Sequence, residues 1–199
     1  YAEKSALKLV GDHHLLDERQ RMAVMRCSCG DESLQRRRQT EIALDNAQGR
    51  PLLLDGYNVL TTIESALAGG VIIEGRDGCY RDMASMHGTF RKVTETAPAI
   101  KLLGEFMSEW GIGPCMWYLD RPVSNSARLK ETFKQIAEQS GWAWQIELVT
   151  NPDAVLIESD QLIATADSVI LDRCREWLNL SRYTVTARIH AADIVRMSG

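Results

Sequence analysis

The sequence predicts an α/β protein with a mostly parallel central sheet, preceded by a small helical domain. Three observations carry that prediction. Short apolar runs alternate with longer segments of helical periodicity, the pattern of a layered α/β structure. Three of those runs close on an aspartate: Asp55, Asp120 and Asp167. Residues 1–48 show helical spacing without a strand-like run. At 199 residues, 45% of them hydrophobic, the chain is long enough to bury a sizeable core.

In the N-terminal domain, 1–48, Ala6, Leu7, Leu9, Val10, Leu15 and Leu16 recur at helical intervals interrupted by Gly11-Asp12. Asp17 is placed to cap a second helix that reaches Cys27 and carries Met22, Ala23, Met25 and Arg26. Residues 31–44 read as a helix or an extended linker. They hold Arg36-Arg37-Arg38, either a solvated helix face or a phosphate-contacting patch.

The second domain, 49–199, opens with the apolar strand 51–55. Ala99, Leu102, Leu103, Phe106 and Trp110 then mark a helix over 94–110, with Pro98 tolerable in its early turns. A strand at 115–120 precedes an amphipathic helix at 126–141, whose inward face is Leu129, Phe133, Ile136 and Ala137 and whose stop is Gly141. Residues 144–149 and 161–167 form further strands, 168–180 a helix, and the β-branched run 183–189 a last strand.

Charge and cysteine content narrow the function. Lys plus Arg number 23 against 27 Asp plus Glu, a net charge of −4, which argues against coating nucleic acid by bulk charge. No apolar stretch is long enough to span a membrane, and the opening residues lack a signal-peptide core. Five cysteines without a paired framework predict a reducing cytoplasm. Cys27-Ser28-Cys29 has no matching downstream pair, so structural zinc is disfavoured. Cys79 and His87 are near in sequence but show no nucleophile–base pattern.

The strand-end aspartates are the informative feature. Ligands of open parallel sheets bind outside the carboxyl ends of the strands. One aspartate there is an ordinary helix cap. Three would repel unless a cation neutralises them or some are protonated, and oxygen donors suit Mg²⁺ or Mn²⁺. Gly56 allows a tight turn after Asp55, and Asn58 can place an amide beside it. Asp77, Arg81 and Asp82 cluster with Arg76, His87 and Arg91: an arginine–aspartate network pinning a loop, or a mixed site in which carboxylates hold metal and arginines hold phosphate. Asp82 falls at a plausible helix start. Arg121, Ser124, Asn125 and Ser126 crowd the turn before a helix, where Ser124 or Asn125 could cap and the helix start could hold an anion.

The run DGYNV after an apolar strand resembles the first motif of the PIN-like nuclease superfamily, especially its NYN branch, and IATADS (163–168) resembles the strand bringing a later acidic residue to that site. Over nearly its whole length the chain is similar to an uncharacterised prokaryotic family of unknown function, through LKLVGDHHLLDERQRMAVMRC, LLLDGYNVL, GRDGCYRDMAS, YLDRPVSNS and IATADSVILD. The PIN-like resemblance implies a three-layer fold and a Mg²⁺- or Mn²⁺-dependent ribonuclease, in which a metal-bound water attacks the phosphodiester. It implies Asp55 and Asp167 as metal ligands, Asp82 and Asp120 next, Asp172 outside them, and Asn58 as an orienting group. Asp77 fits the second acidic position nearly as well as Asp82.

Two other functions stay open. The fold could serve a non-catalytic module gripping RNA or a nucleotide through Arg81, Arg121 and Ser124–Ser126. The same metal site could instead act on a small phosphorylated substrate. The N-terminal helices, with Met22, Met25 and the triple arginine, could form a homodimer face or a substrate arm.

Overall fold

The computed structural model describes residues 3–83 and 94–196; His87 and Arg91 lie outside them. In chain order, helices α1 (Glu3–His13), α2 (Glu18–Cys27) and α3 (Asp31–Thr40) lead to β1 (Leu52–Asp55) and α4 (Gly56–Leu67). Strands β2 (Val71–Glu74) and β3 (Tyr80–Asp82) follow, then α5 (Thr96–Glu109), β4 (Cys115–Asp120), α6 (Ser126–Ser140) and β5 (Trp144–Val149). The chain continues through α7 (Pro152–Ile157), β6 (Leu162–Ala164), α8 (Ser168–Leu171), β7 (Trp177–Leu178), α9 (Leu180–Arg188) and β8 (Asp193–Arg196).

Five strands form a sheet in the order β5-β4-β1-β6-β7, every neighbouring pair parallel. Alternation along a strand sends successive side chains to opposite faces, and β1 shows the consequence. Leu52 and Leu54 pack with Val59, Leu60 and Ile63 of α4, Leu103 and Phe106 of α5, Phe133 of α6 and Val185 of α9. Leu53 packs the other way, with Leu156 of α7 and Ile170 and Leu171 of α8. Helices therefore cover both faces, which explains why the central strands are apolar runs rather than alternating ones. A smaller sheet, β3-β2-β8, stands apart; β2 pairs antiparallel with β3 and parallel with β8.

The N-terminal segment is helical, and Asp17 caps α2 in a reciprocal capping box with Gln20. Helix α3 and its continuation are tied to the edge of the large sheet. Trp177 Nε1 donates to the Arg37 carbonyl at 2.8 Å, and Ile42 N to the Trp177 carbonyl at 2.8 Å. Leu34, Leu44 and Ala47 are buried there.

Three expectations are corrected. The β-branched run 183–189 lies in helix α9, not in a strand. Its buried residues Leu180, Ser181, Thr184 and Val185 recur at helical spacing, so packing overrides the local preference. The segment 168–180 is not one helix. It breaks after α8, and Trp177 and Leu178 add a buried strand beside β6. Asp82 closes strand β3 rather than opening a helix.

Candidate functional site

The carboxyl edge of the large sheet gathers the strand-end aspartates. Asp55 is the last residue of β1, and α4 begins immediately at Gly56. A Cβ on Gly56 would stand 2.5 Å from Leu119 Cδ2 and 2.7 Å from the Tyr118 carbonyl oxygen. The glycine after Asp55 is thus required by the close approach of β4. Asp120 ends β4, the strand paired with β1.

Asp167 follows β6 on the turn Thr165-Ala166-Asp167, which reaches back to β1 and α4. Thr165 Oγ1 donates to Asp55 Oδ2 at 2.7 Å, and the Asp167 amide donates to Thr165 Oγ1 at 3.0 Å. Asn58 Oδ1 accepts from the Ala166 amide at 2.7 Å; the asparagine aligns the Asp167 turn rather than Asp55 itself. Asp167 Oδ1 accepts from the amides of Val169 (2.8 Å) and Ile170 (3.3 Å), capping α8 and orienting its own carboxylate.

A fourth carboxylate, Asp153, was not among the residues singled out from the sequence. It sits in the first turn of α7, which packs against β1 and β4. Asn151-Pro152-Asp153 was legible as a helix start after a strand, with Asn151 Oδ1 accepting from the Ala154 amide at 3.2 Å. An acid in a helix's first turn reads as dipole compensation, so only the packing of α7 over the strand ends reveals its neighbours.

Electrostatics bind these groups into a set. Burial pushes the Asp55 carboxyl up to about 7, against the hydrogen bond from Thr165, and the carboxylates of Asp167, Asp153 and Asp120 push it in the same direction. Burial, then Asp153, raises Asp120; burial, then Asp167, raises Asp153. The donors are all oxygen, and either a proton on Asp55 or a hard divalent cation would relieve their repulsion. Among the described residues, no three His, Cys, Asp or Glu side chains stand close enough to enclose a metal ion. The arrangement fits an ion held by one or two carboxylates with water completing its shell, the usual habit of Mg²⁺. Asp55 with Asp167, Asp120 or Asp153 would hold it.

The remaining predicted site residues lie elsewhere. Asp82 is buried on the small sheet, 3.7 Å from Arg26 and 3.4 Å from the Thr61 hydroxyl. Asp77 is an internal counter-ion: it accepts from Arg37 NH1 at 2.6 Å and from Arg81 at 2.9 and 2.6 Å, and these arginines hold its carboxyl below the usual range against the burial that opposes them. Arg81 also donates through Nε to the Ala166 carbonyl, at 2.9 Å, and is 5% exposed, so burial against its own chain withholds it from a phosphate. Asp172 pairs with Arg37 at 2.7 Å.

The triple arginine is likewise divided. Arg37 is buried, Arg36 donates to the Cys174 carbonyl at 3.1 Å, and Arg38 is exposed. Arg121 lies exposed beyond Asp120 and donates to the Leu148 carbonyl at 2.9 Å. Ser124 and Asn125 are exposed, and neither caps α6 with its side chain; Ser126 instead donates to the Arg121 carbonyl at 3.2 Å. Cys79 is fully buried and its thiol is pushed far up, unsuited to nucleophilic work. All five cysteines are free thiols.

Fold and site together define a three-layer α/β protein with acidic side chains gathered at the carboxyl edge of a parallel sheet. The chain belongs to the family described as "Domain of unknown function (DUF5616)", which matches residues 44–183; residues 1–40 match "Protein of unknown function (DUF434)". An uncharacterized protein of Methanocaldococcus jannaschii is 28% identical over 171 residues, which cover 86% of this chain and 81% of the relative. No solved structure matches the chain. Among the described residues, no helix is long and apolar enough to cross a membrane.

Proposed function

We propose that the protein is a PIN-like, Mg²⁺- or Mn²⁺-dependent ribonuclease whose site is the carboxylate edge formed by Asp55, Asp120, Asp153 and Asp167. The observation that carries this reading is the convergence of three other elements, β4, α7 and the turn after β6, on buried Asp55 at the place where open parallel sheets bind ligands. A divalent cation bound there supplies Lewis-acid activation of the phosphodiester and its attacking water. The chain's own contribution is placement. Among the described residues Asp55 has one hydrogen-bond partner, Thr165 at Oδ2, so Oδ1 keeps its lone pairs for a ligand. Asp167 has one oxygen committed to the α8 amides and the other open. Exposed Arg121, Ser124 and Asn125, beside Asp120, can receive phosphate oxygens of single-stranded RNA.

The test is calorimetric titration of Mn²⁺ into the wild type, Asp55→Asn and Asp167→Asn, with labelled single-stranded RNA incubated in parallel. The reading expects binding lost in both variants and cleavage that tracks the metal; a wild type that binds no Mn²⁺ sinks it.

One observation favours a second reading. The lack of a closed trio of ligands among the described residues suits a non-catalytic RNA- or nucleotide-binding module on the same fold. Retention of RNA in EDTA without product would select it. Cytoplasmic residence is part of the proposal, supported by the free thiols. So is a homodimer through the N-terminal helices, supported by the exposure of Leu9, Val10 and Leu15.

A further inference from the structure

The turn that carries Asp167 is gripped on both sides of one residue. The Ala166 amide donates to Asn58 Oδ1 at 2.7 Å, and the Ala166 carbonyl accepts from Arg81 Nε at 2.9 Å. Behind Arg81 runs a buried relay. Its two terminal nitrogens donate to the two oxygens of Asp77, at 2.9 and 2.6 Å. Asp77 Oδ2 also accepts from Arg37 NH1 at 2.6 Å. Arg37 in turn donates through Nε to Asp172 at 2.7 Å and through NH2 to the Ser168 carbonyl at 3.4 Å. The relay therefore touches the Asp167 turn before and after the aspartate, and its origin is helix α3 of the N-terminal segment.

We infer that Arg37, Asp77 and Arg81 are positioning residues for the carboxylate edge, and that helix α3 is part of the site's scaffold. This rests on the metal-site reading above. The physical argument begins with cost. Two guanidiniums and a carboxylate, each no more than 7% exposed, are expensive to bury, and apolar side chains of equal volume would hold a loop as firmly. What the apolar alternative lacks is direction. A planar guanidinium meets a carboxylate and a carbonyl in one fixed geometry. Fixing both peptide groups of Ala166 sets where the next residue, Asp167, places its carboxylate relative to Asp55. Groups that orient metal ligands in this way set affinity without touching the ion.

The informative variant is Arg81→Lys. It keeps a cation beside Asp77 but loses the fork and with it the bond to Ala166. Amide exchange comes first, on the full chain with chelator present. The relay predicts exchange roughly fivefold faster at Ala166, Asp167, Val169 and Ile170, the loss of about one hydrogen bond, with β1 and β4 unchanged. Mn²⁺ titration of the folded variant then reads a Kd about 10- to 100-fold weaker. Arg37→Lys serves as the second variant should Arg81→Lys not fold, with the same local pattern expected.

Unchanged exchange, or a uniform rise across the sheet, would overturn the inference, since a merely stabilising network moves the whole molecule together. Equal Mn²⁺ affinity in a folded variant would overturn it too. A wild type that binds no Mn²⁺ removes the metal-site reading and the site role with it, while the exchange pattern still decides whether the relay orders the turn.

Discussion

Replacing Asp55 with asparagine should make the metal-free protein more stable above neutral pH while abolishing the Mn²⁺ binding proposed for this edge. The carboxyl is 7% exposed, and its pKa is raised from 3.8 to about 7, first by burial and then by Asp167, Asp153 and Asp120. Because the folded-state value lies above the unfolded one, the protonated form is favoured in the native state. The associated stability is present below pH 4 and is lost as pH rises to about 7. A shift of about three units corresponds to roughly 4 kcal/mol, an upper figure because repacking and water entry relieve part of it. Asparagine keeps an acceptor for the Thr165 hydroxyl and carries no charge, so it escapes that loss. With chelator present, urea or thermal unfolding should show the variant matching wild type near pH 4 and exceeding it by several kcal/mol at pH 8. For a chain of this size that is roughly 10 °C in Tm. A variant less stable than wild type at pH 8, or a difference that does not vary with pH, would refute the argument that burial, with the neighbouring carboxylates, disfavours a charge on Asp55.

Three further outcomes follow from the packing. Glu64, 6% exposed on α4 and bonded by the Thr96 hydroxyl, is raised from 4.5 to about 7 by burial first. Glu64→Gln should gain about 3 kcal/mol over wild type between pH 4.5 and pH 8, read from the pH dependence of urea midpoints. Asp77→Asn leaves Arg37 and Arg81 facing each other without their shared counter-ion, and should cost about 3–5 kcal/mol in thermal unfolding; a loss under 1 kcal/mol would contradict the buried network. Gly56→Ala drives a methyl toward the Tyr118 carbonyl and should cost about 2 kcal/mol by denaturant titration, with a neutral result showing that β4 yields.

How much of this was legible in the chain can be judged residue by residue. The runs at β1, β4 and β5 could be recognised because strands buried on both faces must be apolar throughout. Gly141 does end α6 in a left-handed conformation, as its position suggested. Asp167, expected to close a strand over 161–167, lies on the turn after β6 ends at Ala164 and caps α8, whereas Asp55 and Asp120 were visible because parallel strands deliver their last residues to one edge. Asp153 was not, since its membership depends on α7 crossing the ends of β1 and β4. Nor could local preference tell that Thr184 and Val185 belong to a helix, because their burial against α4 and α5 outweighs it.

The arginines mark the boundary most sharply. Composition and spacing by themselves determined that the chain is a layered α/β protein with acidic groups at its sheet edge, because period and strand polarity are local properties of sequence. Only the tertiary structure decided which charges are spent inside. Arg37 lies 40 residues from Asp77 and 135 from Asp172, and closing those distances is the work of the packed sheet. A charge that looks available for phosphate in the sequence becomes, once buried, a fork that must find carboxylates and carbonyls of its own chain, because an unpaired ion is too costly away from water.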